Sequence, residues 1–172
     1  MFFCNRMAEN KMLSSLSRRR IGCKLTVAIM ALVEKIIEPV SVSLGYVILY
    51  VEDVSASLCF YADAFGLARR FFHVEGGKAY GELETGATRL GFASLNQAKE
   101  HLKQDVVAAN LDQAPLAVEI ALVTRNLPAV YARAVKAGAT VVSEPTIKPW
   151  GQTVAYLRDN SGHLVELCTP LP

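Results

Sequence analysis

The chain has 172 residues, of which 52% are apolar, 20% charged and 8% aromatic, ordinary proportions for a globular protein with one sizeable core. Its 18 Lys and Arg against 16 Asp and Glu leave a net charge of +2, so no overall field favours nucleic acid. Cys4, Cys23, Cys59 and Cys168 share no short metal-type spacing, which excludes both a zinc cage and a disulfide framework and points to a reducing, cytoplasmic setting.

Charge is uneven along the chain. Residues 1–29 hold six basic side chains and one acid, Glu9, leaving 12 basic and 15 acidic groups for residues 30–172. Lys24 interrupts the apolar stretch Ile21 to Val33 and Glu34 closes it, so the stretch falls short of the roughly 18–20 residues of a membrane span. Residues 1–42 are expected to be a leader of one of three kinds. It is an unstructured extension, an over-long reading frame whose working start is Met30, or, given Arg18-Arg19-Arg20 ahead of Leu25 to Val33, an export or organellar targeting segment that would move the protein out of the cytoplasm.

The folded domain is expected over residues 43–172. Tyr46 to Val51 is a β-branched and aromatic strand run, Asp53 can cap a helix, and Val54, Leu58, Tyr61 and Phe65 recur at helical spacing before Gly66. Strands are expected over Ala68–Glu75, Lys78–Glu84 after the Gly76-Gly77 turn, and Ala87–Ser94. Residues 96–114 are polar and partly helical in pattern, a linker ending at Pro115. The opening phrase then returns as a strand over Val118–Val123, a cap at Asn126, and Leu127, Val130, Ala134 and Val135 before Gly138, followed by strands over Thr140–Glu144, Gln152–Arg158 and His163–Thr169. The distances agree, 13 positions from Asp53 to Gly66 and 12 from Asn126 to Gly138. This is an internal repeat, an α+β chain of two tandem βαβββ modules, 44–95 and 115–170. One helix cannot cover both faces of a four-stranded sheet, so the two sheets should join around a shared open cavity.

Period-two alternation selects the residues that face such a cavity. Val118, Ile120 and Leu122 suit the helix side, which leaves Glu119 on the other face, and Glu166 shares its face with Leu164 and Cys168. By the repeat, Tyr46 and Gly91 match Glu119 and Glu166, with spacings of 45 and 47 residues. Arg89 has the same parity as Gly91, Tyr46 and Tyr80 are wall aromatics, and Lys148 to Gln152 form a lip that carries Trp150. Two carboxylates meeting in a cavity suit proton transfer beside a carbonyl. His73, His101 and His163 fall outside these positions. Gly76-Gly77 lacks the strand–helix context of a phosphate loop, and no basic patch with interleaved aromatics offers a nucleic-acid surface.

The opening Val51-Glu52-Asp53, Phe60-Tyr61 and Phe65-Gly66-Leu67, together with the tail Asp159-Asn160-Ser161-Gly162-His163-Leu164-Val165-Glu166-Leu167, resemble the vicinal oxygen chelate superfamily of glyoxalase I, bleomycin-resistance proteins and extradiol dioxygenases. Asn160 replaces the usual Pro of that tail. Glyoxalase I relatives place His, Glu, His and Glu at the four matching positions, where this chain has Tyr46, Gly91, Glu119 and Glu166. The resemblance therefore implies no tightly held metal cofactor. Glu119 and Glu166 would at most hold a hard divalent ion loosely. The implied activity is that of a lyase or isomerase acting on an α-carbonyl substrate, in the manner of glyoxalase I (lactoylglutathione lyase). Glu119 and Glu166 would move protons, Tyr46 and Gln152 would polarise the substrate, Arg89 would neutralise Glu166 or grip an anion, and Trp150 would form a wall. The alternative is a metal-free, ligand-sequestering protein of the bleomycin-resistance type, which suits the small residues Gly91, Ala93, Ala117 and Ala121. Thiol transfer of the fosfomycin-resistance kind meets the objection of the missing imidazoles. The implied partner is a small-molecule ligand, with neither nucleic acid nor membrane, and the architecture is compatible with a homodimer.

Overall fold

The computed structural model describes residues 41–172, and strand β1 (Tyr46–Val51) and helix α1 (Val54–Phe65) are the first elements among them. The expectations for residues 1–40 lie outside the described residues. The chain divides into two units, Met1–Ser43 and Leu44–Pro172, and all elements below belong to the second. Asp53 caps α1 by accepting from the Ala56 N–H at 2.9 Å, and Gly66 ends it in the left-handed conformation at φ 76°, where a side chain would be strained.

Strands β2 (Arg69–Glu75), β3 (Lys78–Leu83) and β4 (Arg89–Ser94) follow, and helix α2 (Leu95–Leu102) occupies the start of the linker. The second module repeats the order with β5 (Glu119–Val123), α3 (Leu127–Lys136), β6 (Thr140–Ile147), β7 (Thr153–Arg158) and β8 (Leu164–Cys168). Each module is one four-stranded sheet, β1-β4-β3-β2 and β5-β8-β7-β6, with a parallel first pair and antiparallel remaining pairs. The α+β fold of two βαβββ modules is therefore as the repeat implies. The two sheets are not closed onto one another. Strand β6 runs beyond its expected end at Glu144 and through Pro145, which an edge strand tolerates because no neighbour needs the missing N–H.

One core runs through both modules. Leu58, Tyr61, Leu83 and Phe92 of the first and Leu127, Leu157, Val165 and Leu167 of the second belong to a single buried cluster. Each such side chain contributes about 1.5–3 kcal/mol. Polar bonds fix the joint: the Tyr61 hydroxyl donates to Asp159 at 3.1 Å, the Ser57 and Ser161 hydroxyls lie 3.3 Å apart, and Arg133 of α3 donates to the Ala62 and Asp63 carbonyls at the end of α1. Buried Arg158 donates to the carbonyls of Asn110, Leu111, Gln113 and Gly162, which pins the rest of the linker. No helix among the described residues is long and apolar enough to cross a membrane.

Candidate functional site

The helices cover one face of each sheet, and the other face is open. On the second sheet, Ala121 pairs with Glu166 and Glu166 with Tyr156, so Glu119, Glu166, Tyr156 and Cys168 share the open face. The Tyr156 hydroxyl donates to Glu166 at 2.8 Å. That bond, reinforced by partial desolvation and by the charges of Glu166 and Glu119, pushes the hydroxyl up to about 12, so it remains a donor at neutral pH. Desolvation first, and then the bond and charge of Glu166, raise the Cys168 thiol, which keeps it protonated and a poor nucleophile. Lys148 places its ammonium 5.7 Å from the centre of the Tyr156 ring.

Trp150, on the turn between β6 and β7, is 56% exposed. Its indole N–H donates to Gln152 Oε1 at 2.8 Å, and Gln152 Nε2 donates to the Thr169 carbonyl at 2.7 Å. Both ends of the Gln152 amide are engaged, so the residue holds Trp150 in place instead of standing free as the expected polarising donor. Glu119 lies exposed at the start of β5, so no burial cost attaches to its charge.

The first sheet carries a counterpart that sequence reading missed. Glu82 pairs with Gly91 in register, as Tyr156 pairs with Glu166 at the corresponding place in the second module. The Tyr80 hydroxyl donates to Glu82 at 3.0 Å, and burial followed by this bond pushes it up to about 12. A Cβ on Gly91 would come within 3.1 Å of the Tyr80 oxygen, so the glycine makes room for the hydroxyl. Each module thus holds a tyrosine hydroxyl on a carboxylate at one equivalent spot, with the carboxylate on β3 in the first and on β8 in the second. The signal for Glu82 was its parity with Tyr80 on β3, readable only once the β3–β4 register was known.

Arg89 lies 3.6 Å from Glu82 and not beside Glu166; no ion pair or hydrogen bond among the described residues connects the open face of one sheet with that of the other. Tyr46 and Gly91 thus stay with the first sheet, Glu119 and Glu166 with the second, and Tyr46 is 53% exposed. His163, 5% exposed, sits on Asp159 at 3.1 Å, and Asp159 also accepts the backbone N–H groups of Ser161 and His163. The tail loop is thereby a structural joint.

The four positions at which glyoxalase I relatives bind metal bear a phenol, a glycine and two carboxylates here, one of them engaged by Tyr156. Among the described residues, no three His, Cys, Asp or Glu side chains are gathered to hold a metal ion. This donor set does not fit a transition-metal centre.

The family model described as Glyoxalase/Bleomycin resistance protein/Dioxygenase superfamily matches residues 43–167. No curated protein matches the chain. Among solved structures, a glyoxalase-related enzyme from Fulvimarina pelagi is similar at TM-score 0.65 and 21% identity, over 74% of this chain and 88% of its own. A glyoxalase/bleomycin resistance protein/dioxygenase from Nocardioides gives TM-score 0.63 at 17% identity, over 84% and 93%. A glyoxalase/bleomycin resistance protein/dioxygenase family enzyme from Burkholderia phytofirmans PsJN gives 0.57 at 20%, over 74% and 98%. At these identities the likeness concerns the fold.

Proposed function

Since the chain belongs to the glyoxalase/bleomycin resistance protein/dioxygenase superfamily, we propose that it acts on a small α-carbonyl substrate as a metal-independent lyase or isomerase, on the open face of the second sheet. The observation that carries this is the 2.8 Å bond from the Tyr156 hydroxyl to Glu166. A carboxylate beside a phenol that stays protonated is the pair needed for enolisation. The Tyr156 O–H turns from Glu166 to the substrate carbonyl oxygen, and Glu166 takes the proton from the adjacent carbon. The electron pair of the C–H bond moves to the oxygen as the enolate. Glu166 then returns its proton to carbon, or releases it to solvent while Glu119 delivers one taken from solvent, so that both carboxylates end as they began, and Trp150 bounds the substrate. No step passes through a metal.

The test is exchange of the α-protons of dihydroxyacetone in deuterated buffer, followed by NMR. Wild type is expected to exchange them faster than buffer, with Glu166→Gln and Tyr156→Phe slowing exchange by about 10²-fold or more. Wild-type exchange no faster than buffer would reject proton transfer on this substrate.

A second reading, a metal-free protein that sequesters its ligand, is favoured by the exposure of Trp150 on the turn that also carries Lys148, whose ammonium lies over the Tyr156 ring. Trp150 is the single tryptophan of the chain, so its fluorescence reports ligand directly. Saturable quenching without chemical change of the ligand supports this reading over the first.

A further inference from the structure

A cleft of about 470 Å³ opens between the two modules, apart from the Tyr156 and Glu166 pair. Val47, Phe65 and Leu90 of the first module and Ile120, Leu122 and Val130 of the second give it apolar walls. Its polar side chains are three threonines and one arginine, Arg89, and no carboxylate lines it. The threonine hydroxyls are engaged locally. Thr85 donates to the Thr88 carbonyl and accepts from the Leu90 N–H, Thr88 donates to the Leu44 carbonyl, and Thr124 accepts from the Asn126 N–H. Arg89 differs. It forms an ion pair with Glu82 Oε2 at 3.6 Å, longer than a hydrogen bond, while Glu82 Oε1 accepts from the Tyr80 hydroxyl. Among the described residues none of the five guanidinium N–H donors of Arg89 makes a hydrogen bond.

We propose that this cleft binds an apolar monoanion, with the carboxylate of a medium-chain acid on the Arg89 guanidinium and its hydrocarbon body along Val47, Leu90, Ile120 and Leu122. The volume lies in the range of small-molecule sites, and a cleft whose lining is largely apolar and carries one cation, Arg89, suits an amphiphile with a single negative head. A carboxylate can take two parallel N–H bonds from the fork that Glu82 leaves unfilled. The proposal does not depend on catalysis at Glu166.

The experiment uses the full chain with methyl-labelled Ile, Leu and Val, titrated with decanoate and with decan-1-ol and decylammonium as chain-matched controls. Decanoate is expected to shift the methyls of Val47, Leu90, Ile120, Leu122 and Val130 saturably, and to bind about tenfold more tightly than decan-1-ol, a gap of the size of one charge-assisted pair. Arg89→Met should remove that preference and leave decan-1-ol unchanged, while Arg89→Lys keeps part of it. Val130→Trp, which fills the cleft, should abolish both. Decanoate binding that is equal in Arg89→Met and wild type would overturn the proposal. So would saturable shifts confined to Val154 and Leu164 on the second sheet, the absence of saturable binding below the micellar range, or burial of the cleft methyls by concentration-dependent pairing of two copies.

Discussion

The Tyr61 hydroxyl, on the first helix, donates to the Asp159 carboxylate at 3.1 Å, a buried bond between residues 98 positions apart that ties one module to the other. Asp159 is 1% exposed, and its other partners are the Ser161 and His163 N–H groups and the His163 ring. Removing the phenol oxygen leaves a buried charge short of one donor. Tyr61→Phe is therefore expected to cost roughly 1–3 kcal/mol by urea unfolding, with the fold retained. A loss within error of zero would mean that Asp159 is satisfied without it.

The same bond gives an alkaline signature. Burial, then the charge of Asp159 and the hydrogen bond to it, raise the Tyr61 hydroxyl well above its ordinary value of 10.0. In the unfolded chain it ionises near pH ~10. Above that pH the native state retains a proton the unfolded state has lost, so stability falls as pH rises; below it the contribution is complete. Wild type should lose stability from about pH 10 upward, and Tyr61→Phe should lose it less steeply, measured as urea midpoints along a pH series. Parallel slopes in the two proteins would count against the Tyr61 assignment.

Gly91 and Tyr80 make a third prediction. In Gly91→Ala the new Cβ stands within 3.1 Å of the Tyr80 oxygen, so the hydroxyl must give way and its bond to Glu82 weakens. The Tyr80 ionisation, now at about 12, should fall toward its ordinary value. Tyrosinate absorbance follows this, with Tyr80→Phe identifying the band. An unmoved midpoint would show that Tyr80 does not need the glycine.

Arg158 carries the linker. Its guanidinium serves four backbone carbonyls, three of them in residues 110–113. Arg158→Met orphans these carbonyls and should cost about 2–4 kcal/mol. Arg158→Lys should recover little, because an ammonium has no planar fork. Hydrogen exchange provides the local readout, since amides of residues 108–114 should exchange faster in both variants. Unaltered exchange there would mean the segment is held by other contacts.

What is legible in the sequence follows from local rules. Asp53 and Gly66 bracket the first helix as their chemistry dictates, and alternation alone put Glu119 and Glu166 on the face away from the helices. What could not be read depends on how strands align and on backbone partners distant in sequence. The pairing of Glu82 with Gly91 is a matter of register, and nothing in the sequence around Arg158 announces that its partners are carbonyls about 47 residues earlier. Gln152 presented a free amide by type, but both its ends are engaged by neighbours. The convergence of Tyr46 and Gly91 with Glu119 and Glu166 assumed that the two open faces meet, whereas each sheet forms its own tyrosine and carboxylate pair.

The last prediction concerns whether Glu119 and Glu166 act as one unit. Both reach Tyr156, Glu166 through a hydrogen bond and its charge, and Glu119 through its charge alone. Glu166→Gln should therefore lower the Tyr156 ionisation from about 12 by the larger step, and Glu119→Gln by a smaller one. Spectroscopic titration tests this without any substrate. For turnover or ligand binding the expectation is different. If Glu166 removes the proton and Glu119 assists its return, the two serve successive halves of one event, so Glu119→Gln added to Glu166→Gln should cost little beyond Glu166→Gln alone. The measurement is a double-mutant cycle on dihydroxyacetone exchange, or on Trp150 quenching where no exchange occurs, with circular dichroism to verify the fold of each variant. An additive cycle together with a Tyr156 midpoint indifferent to Glu119 would separate the two carboxylates, leaving Glu166 and Tyr156 as the site and Glu119 as an exposed residue at the start of its strand.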